Sequence, residues 1–337
     1  MKVVCADEKA QRGHAPEREF SRAGLLPYPE SPPRYEAILA SLQRASWADF
    51  VEPVPQDDDV PASVHDADYV EFLRTAHSSW SAAGGQGDLV ASLFSGGDGR
   101  RPADPAAATG YYGFDTTPIT AGTWSATRAA AAAALTATDI LLDGATAAYA
   151  LCRPPGHHAT ARSFGGYCYL NHAALAAQRL AAHGTVAIID IDYHHGNGTQ
   201  QIFYHREDVL FVSLHADPEW EYPLFWGRED ETGAGGGEGF TINLPMPAGT
   251  DDAGYLQSVA TAVARVRAFA PRHLVVSAGF DTWRDDPLGS FRLTANGIGA
   301  IGAAIADLAL PTVIVQEGGY DTLALGDLAV QFLEPFA

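Results

Sequence analysis

Residues 185–198 read TVAIIDIDYHHGNG, an apolar run that passes within a few positions into carboxylates, imidazoles and glycines. The run from Thr185 predicts a strand buried on both faces, because a strand with one wet face alternates apolar and polar residues. Its end carries chemistry: Asp190, Asp192 and His194 lie two residues apart, so an extended chain projects all three side chains from one face. HLVVSAGFD (273–281) and TVIVQEGGY (312–320) are built the same way, and AYALC (148–152) runs into RPPGHHAT (153–160). Alanine- and leucine-rich stretches at 122–143, 171–183, 197–206, 252–269, 294–308 and 322–333 separate such runs. The alternation predicts one α/β domain over residues 1–337, with a mostly parallel multi-stranded sheet and helices on both faces. The reactive residues follow the strands, the edge at which open parallel sheets bind ligands. Residues 81–110 interrupt the pattern; rich in Gly, Pro and Ala and without a period, they read as an insertion.

Composition narrows the chemistry. The 41 acidic against 21 basic residues give a formal charge of −20, which repels nucleic-acid phosphates and favours a cationic substrate. Lys2 and Lys9 are the only lysines, so the body of the chain offers neither a P-loop lysine nor a Schiff-base lysine. Cys5, Cys152 and Cys168 make an odd count without zinc-finger spacing, which argues for free thiols in a reducing compartment. Charge at Asp7 precludes a signal-peptide core, and the alanine run 129–134 is too short to span a bilayer. The expectation is a cytoplasmic protein with no membrane or nucleic-acid partner. No G-x-S-x-G elbow is present to suggest a serine hydrolase.

Asp192 and His194 alone read equally as a hydrogen-bonded pair or as metal ligands. Asp281, from a neighbouring strand end, completes two carboxylates and one imidazole and leaves positions open for water and substrate, as catalytic zinc requires. In RPPGHHAT the prolines fix φ, so a stiff loop presents His157 and His158 side by side, able to serve different tasks.

Taken together, RPPGHHA, FGGYCYLN (164–171), DIDYHHGNGTQ (190–200), VSLH (212–215), AGFD and EGGY resemble the signatures of zinc-dependent histone deacetylases, in the arginase/deacetylase superfamily. CRPPGHHA, FGGYCY, GNGTQ and GTW (122–124) are most similar to the branch of bacterial acetylpolyamine amidohydrolases. The resemblance implies Asp192, His194 and Asp281 as ligands of Zn²⁺, with Fe²⁺ as the alternative. It implies His158 as general base with Asn197 as its partner, His157 as an electrostatic companion held by Asp190, and Tyr320 as hydrogen-bond donor to the tetrahedral oxyanion. Gly166 and Tyr167 would form one channel wall and Tyr222 the other, with Leu288 the ordinary deacetylase residue. Asp190, Asp192, His194, Ser213 and Leu214 would surround a structural K⁺ or Na⁺, largely through backbone oxygens. The insertion at 81–110 would lie at the channel mouth or dimer contact of a homodimer.

Glu17 and Asp115 lie in segments that approach the rim in relatives, placing carboxylates where a distal ammonium would bind. Ala106 and Ala107 stand where acetylpolyamine enzymes offer a further glutamate. The expected function is metal-dependent removal of acetyl groups from an acetylated polyamine or similar small cationic amide; protein acetyl-lysine and an acetylated metabolite are the alternative substrates. A two-manganese ureohydrolase would want aspartates where this chain has Gly196 and Trp283, and a non-catalytic scaffold would have lost a ligand or the tyrosine.

Overall fold

The computed structural model describes residues 1–21, 24–95 and 99–337. Among the described residues ten strands form: β1 (Lys2–Cys5), β2 (Arg18–Ser21), β3 (Gly24–Pro27), β4 (Asp49–Val51), β5 (Ala147–Leu151), β6 (Val186–Asp190), β7 (Val209–Ala216), β8 (Thr241–Met246), β9 (His273–Ala278) and β10 (Thr312–Gln316). Eight of them make one sheet in the order β4-β1-β5-β10-β9-β6-β7-β8, parallel at every neighbouring pair. Every residue of β5, β6, β7, β9 and β10 is buried, which explains their unbroken apolar sequence. Helices Thr123–Leu142 and His172–Ala181 pack together on β5, β6, β9 and β10, and Pro32–Leu42, Leu325–Leu333, Ala295–Ala306 and Asp252–Phe269 pack in that order as a second helical layer. Three helix starts are set by side chains the sequence displays: Asn171, Asp251 and Thr294 each accept a hydrogen bond from the backbone three residues on.

The strand order places the chemistry. β5, β10, β9 and β6 are consecutive across the centre of the sheet, and they lead into RPPGHH, EGGY, AGFD and DIDYHH respectively. Parallel strands deliver all four loops to one edge, so residues separated by more than 160 positions meet there without any special device.

Several features depart from the sequence reading. β2 and β3 form a separate antiparallel hairpin. Residues 81–110 are not wholly irregular: Pro105–Tyr112 is a helix capped by Asp104, and Leu89 pairs with Ile119. This region covers a satellite core of Tyr69, Phe72, Leu73, Tyr112, Phe164 and Tyr169, which backs the FGGYCYLN loop. Among the described residues, no helix is long and apolar enough to cross a membrane.

Candidate active site

The candidate metal-ligand set assembles through a bend rather than through strand alternation. β6 ends at Asp190, and the bend that follows brings Asp192 and His194 to Asp281 beyond β9, all three ligating atoms lying within 4.8 Å of one another. Asp190 turns elsewhere, to His157, so the expectation that one extended face carries all three side chains does not hold. His194 Nδ1 stands 3.0 Å from Asp281 Oδ2 and 3.4 Å from Asp192 Oδ1. Each carboxylate is also held by backbone: Asp192 accepts from His194 N and Gly318 N, and Asp281 from Tyr193 N. Gly318 is obligatory, since a Cβ there would come 2.5 Å from Asp192 Oδ2 and 2.6 Å from Asp281 Oδ2.

The electrostatics of this set call for a cation. Burial, then the neighbouring Asp192, push Asp281 up to about 7. Burial opposes ionisation of Asp192 as well, but His157 and His194 hold its carboxyl far below the usual range. His194 itself, against the cost of burial, is raised to about 10 by its bonds to Asp192 and Asp281. Two buried carboxylates and a proton-holding imidazole at this spacing suit a divalent ion, which would displace the proton and balance the charge.

The tandem histidines are driven in opposite directions. His157 Nδ1 donates to Asp190 Oδ2 at 3.0 Å while its Nε2 lies 3.7 Å from Asp192; these carboxylates outweigh burial and raise it to about 10. His158 Nδ1 donates to Asn197 Oδ1 at 2.7 Å, which leaves Nε2 free. Burial, followed by the charges of His157 and His194, pulls His158 well below the ordinary value. With ring centroids 4.0 Å apart, the surroundings favour the charged form of His157 and the neutral form of His158. Gly196 is required beside them, because a Cβ would meet Asp190 Oδ2 at 2.2 Å.

His158, His194, Tyr167, Tyr222, Leu288, Gly166 and Tyr320 line one cavity of about 350 Å³. Gly166 and Tyr167 both take positive φ, 56° and 66°, which turns the Tyr167 ring toward Tyr320 at 5.9 Å. Opposite, the Tyr222 ring meets His158 edge-on at 5.0 Å. Asp115 joins the two walls: it accepts from Gly166 N at 2.7 Å, Tyr222 OH at 2.9 Å and Thr117 N at 2.9 Å. Burial raises Tyr320 well above its ordinary value, so its hydroxyl stays a donor. Asp190 and Ser213 are register partners on β6 and β7, and the Tyr255 hydroxyl reaches the Ile191 and Leu214 carbonyls beside them.

Not every expected residue reaches the cavity. Glu17 is exposed and outside its lining; Glu19, two residues along β2, reaches the wall instead and accepts from Tyr167 OH at 2.7 Å. Ala106 and Ala107 lie on helix 105–112, and none of the described residues of 81–110 lines the cavity. The structure adds residues the sequence did not flag. Glu221 joins the lining, accepting from Tyr193 OH and Tyr222 N. Glu317, from EGGY itself, accepts from Gly156 N at 2.6 Å and His157 N at 3.1 Å, fixing the tandem-histidine loop. Together with His157 and Cys168 it forms a second compact donor group, but backbone amides already occupy its Oε2. Beneath lies a buried ionic set: Glu30 pairs with Arg153 at 2.9 Å and Arg34 at 2.7 Å, and Arg34 stacks 4.6 Å under the Tyr320 ring.

Residues 28–335 match the histone deacetylase domain family. Acetylpolyamine amidohydrolase 1 of Pseudomonas aeruginosa is 43% identical, the alignment covering 100% of this chain and 99% of that protein. The acetylpolyamine amidohydrolase of Mycoplana ramosa is 41% identical over 97% of this chain and 96% of its own. Among solved structures, acetylpolyamine aminohydrolase from Burkholderia pseudomallei superposes with a TM-score of 0.94 at 40% identity, covering 100% of this chain and 98% of that one. The HDA15 HD domain superposes at 0.79 with 30% identity, over 99% and 90%.

Proposed function

The chain belongs to the histone deacetylase family, and from that premise we propose that it is a metal-dependent amidohydrolase that removes the acetyl group from an acetylated polyamine. One observation carries the reading: two adjacent imidazoles, His158 bonded to Asn197 and His157 to Asp190, stand against the Asp192–His194–Asp281 set at the end of an aromatic-walled cavity. Asp192, His194 and Asp281 would hold zinc, which would polarise the acetyl carbonyl and lower the pKa of a water toward about 7. His158 takes the water's proton at Nε2 and returns one to the leaving amine, a contribution of about 10² to 10⁴ in rate. Asn197 accepts from Nδ1 without adding charge, so it fixes the tautomer of His158 and keeps its basicity low. His157, held cationic by Asp190 and Asp192, supplies positive charge beside the developing oxyanion, and Tyr320 donates its hydroxyl to that oxygen.

The lining speaks for a slender cation. Among the described residues it carries the carboxylates of Glu19, Asp115 and Glu221 and no Lys or Arg. Asp115 already accepts three protein hydrogen bonds, whereas Glu19 accepts one and Glu221 one on each oxygen. We therefore assign the distal ammonium to Glu19 and Glu221, with Asp115 holding the walls. The role foreseen for Glu17 passes to Glu19, because the Glu17 side chain is exposed. A turnover panel tests this: kcat/KM on monoacetylated putrescine or cadaverine should exceed that on acetyl-lysine peptides. Glu19→Gln and Glu221→Gln should each lose about tenfold or more on the diamines and little on neutral N-butylacetamide, since each removes a charge-assisted hydrogen bond. Better hydrolysis of acetylated histone peptides would overturn the polyamine assignment in favour of protein acetyl-lysine, and failure of every cationic amide would point to an acetylated metabolite.

Two further assignments accompany this one. Free Cys5, Cys152 and Cys168 suit a cytoplasmic enzyme, and a K⁺ or Na⁺ ion is assigned to the carbonyls around Asp190 and Ser213. A homodimer is assigned from the exposed apolar side chains of the β2–β3 hairpin and of the insertion: Phe20 (60%), Leu25 and Leu26 on one, Leu93 (76%) and Phe94 on the other. The residues of 81–110 described outside the cavity would reach a mouth only in a second copy. Sedimentation equilibrium should give twice the chain mass of 35.7 kDa; a monomer at micromolar concentration would remove the dimer.

A further inference from the structure

The segment that delivers Tyr320 cannot hold itself. Gly318 and Gly319 precede it, Gly319 at φ +111°, and two successive glycines leave the backbone broad freedom. The position of the Tyr320 hydroxyl therefore depends on bonds from other elements. Gly318 N donates to Asp192 and the Gly319 carbonyl accepts from Arg34, so both fastenings lie before the tyrosine. At Tyr320 and Asp321 one side chain holds both backbone amides, beside Arg34 stacked under the Tyr320 ring and Trp283 Nε1 donating to Asp321 Oδ2. Asp286 Oδ2 accepts from Tyr320 N at 2.6 Å and from Asp321 N at 3.1 Å, while its Oδ1 accepts from Leu288 N at 3.0 Å. Asp286 is only 6% exposed and sits on the loop that descends from Asp281. A single buried carboxylate thus ties the segment carrying the oxyanion donor to the segment carrying a channel residue.

We propose that Asp286 is a positioning residue for the reaction, locking Tyr320 and Leu288 into one unit so that closure of the channel and placement of the hydroxyl go together. This rests on the reading of Tyr320 as oxyanion donor. The bland alternative is a buried acid that only stabilises two turns, and a double-mutant cycle separates the two. Asp286→Ala, zinc-loaded, should lower kcat by about 10²-fold, the scale of a 1 Å misplacement, with KM little changed. Asp286→Asn, which keeps an amide oxygen for the Tyr320 and Asp321 amides, should recover most of it. In a Tyr320→Phe background the alanine substitution should cost no more than about twofold, because the hydroxyl it positions is gone.

Equal losses in the two backgrounds would overturn the proposal, as would near-normal kcat in Asp286→Ala or an asparagine variant as impaired as the alanine one. Should Asp286→Ala not fold, Asp286→Glu serves in its place. It keeps the charge and carries the acceptor one methylene farther, so it should lose kcat when Tyr320 is present and not in the Tyr320→Phe background. If Tyr320→Phe itself leaves turnover unchanged, the oxyanion reading falls and this proposal with it; if Tyr320→Phe is impaired but the Asp286 losses add to it, only the proposal falls.

Discussion

Asp281→Ala should leave the protein without stoichiometric zinc and without measurable turnover. The candidate ligand atoms of Asp192, His194 and Asp281 lie within 4.8 Å of one another, and deleting one leaves a carboxylate and an imidazole that protein and water can satisfy without a dication. The variant also removes the carboxylate whose burial beside Asp192 gives the site its demand for positive charge. Because Asp281 Oδ1 accepts from Tyr193 N, part of any effect could come from a loosened bend, so Asp281→Asn belongs beside it. The amide keeps the acceptor and removes the charge, and it too should lose the metal while melting close to the parent. Metal analysis after dialysis reads the result directly and also distinguishes Zn²⁺ from Fe²⁺ in the parent. Retention of one equivalent by Asp281→Ala would refute the assigned ligand set, whatever the activity.

What could be read from the sequence, and what could not, follows from how far each signal travels along the chain. The central strands announce themselves because burial on both faces leaves no polar alternation, and the residues at their ends are conspicuous because Asp, His and Tyr follow apolar runs. The order of strands is not written locally; that β10 inserts between β9 and β5 depends on its pairing with β5, where Thr312 is in register with Ala147, far away in the chain. The bend after Asp190 was also hidden. Two-residue spacing suggested one strand face, but the strand stops there and the candidate ligands gather by turning, with Asp190 bonded instead to His157.

Residues that act by holding others were missed for the same reason. Glu317, Asp286 and Arg34 make their decisive bonds to Gly156 and His157, to Tyr320 and Asp321, and to the carbonyls of Glu317 and Gly319. A buried carboxylate in a loop looks like any surface acid until its partners are in view. Glu17 and Glu19 share a parity and differ by one strand repeat, so alternation could not choose between them; the entry of β2 at Arg18 did. The helix at 105–112 was obscured by composition, since PAAATGYY offers little amphipathic contrast and its start is set by the Asp104 cap.

Tyr320→Phe should behave differently from the ligand variants: zinc retained, substrate affinity little altered, and kcat lower by about 10² to 10³, the usual loss for one oxyanion donor. Three features of the site lead there. The ring is fixed independently of its hydroxyl, by Arg34 stacked 4.6 Å beneath it and by the hydrogen bonds of its own backbone to Asp286, so phenylalanine can occupy the same place. Burial holds the phenol far above its ordinary pKa, so the wild-type hydroxyl remains protonated throughout the working range and acts as a donor, not a base. And the hydroxyl gains most when the carbonyl oxygen becomes an oxyanion, so its removal acts on the transition state more than on the ground state, which places the loss in kcat and leaves KM nearly untouched. Single-turnover kinetics on a monoacetylated diamine, with metal content measured on the same sample, would check all three. A variant with near-normal turnover would remove Tyr320 from the mechanism and leave His157 as the cationic group at the oxyanion, while a rise in KM matching the fall in kcat/KM would move Tyr320 from the chemistry to the grip on substrate.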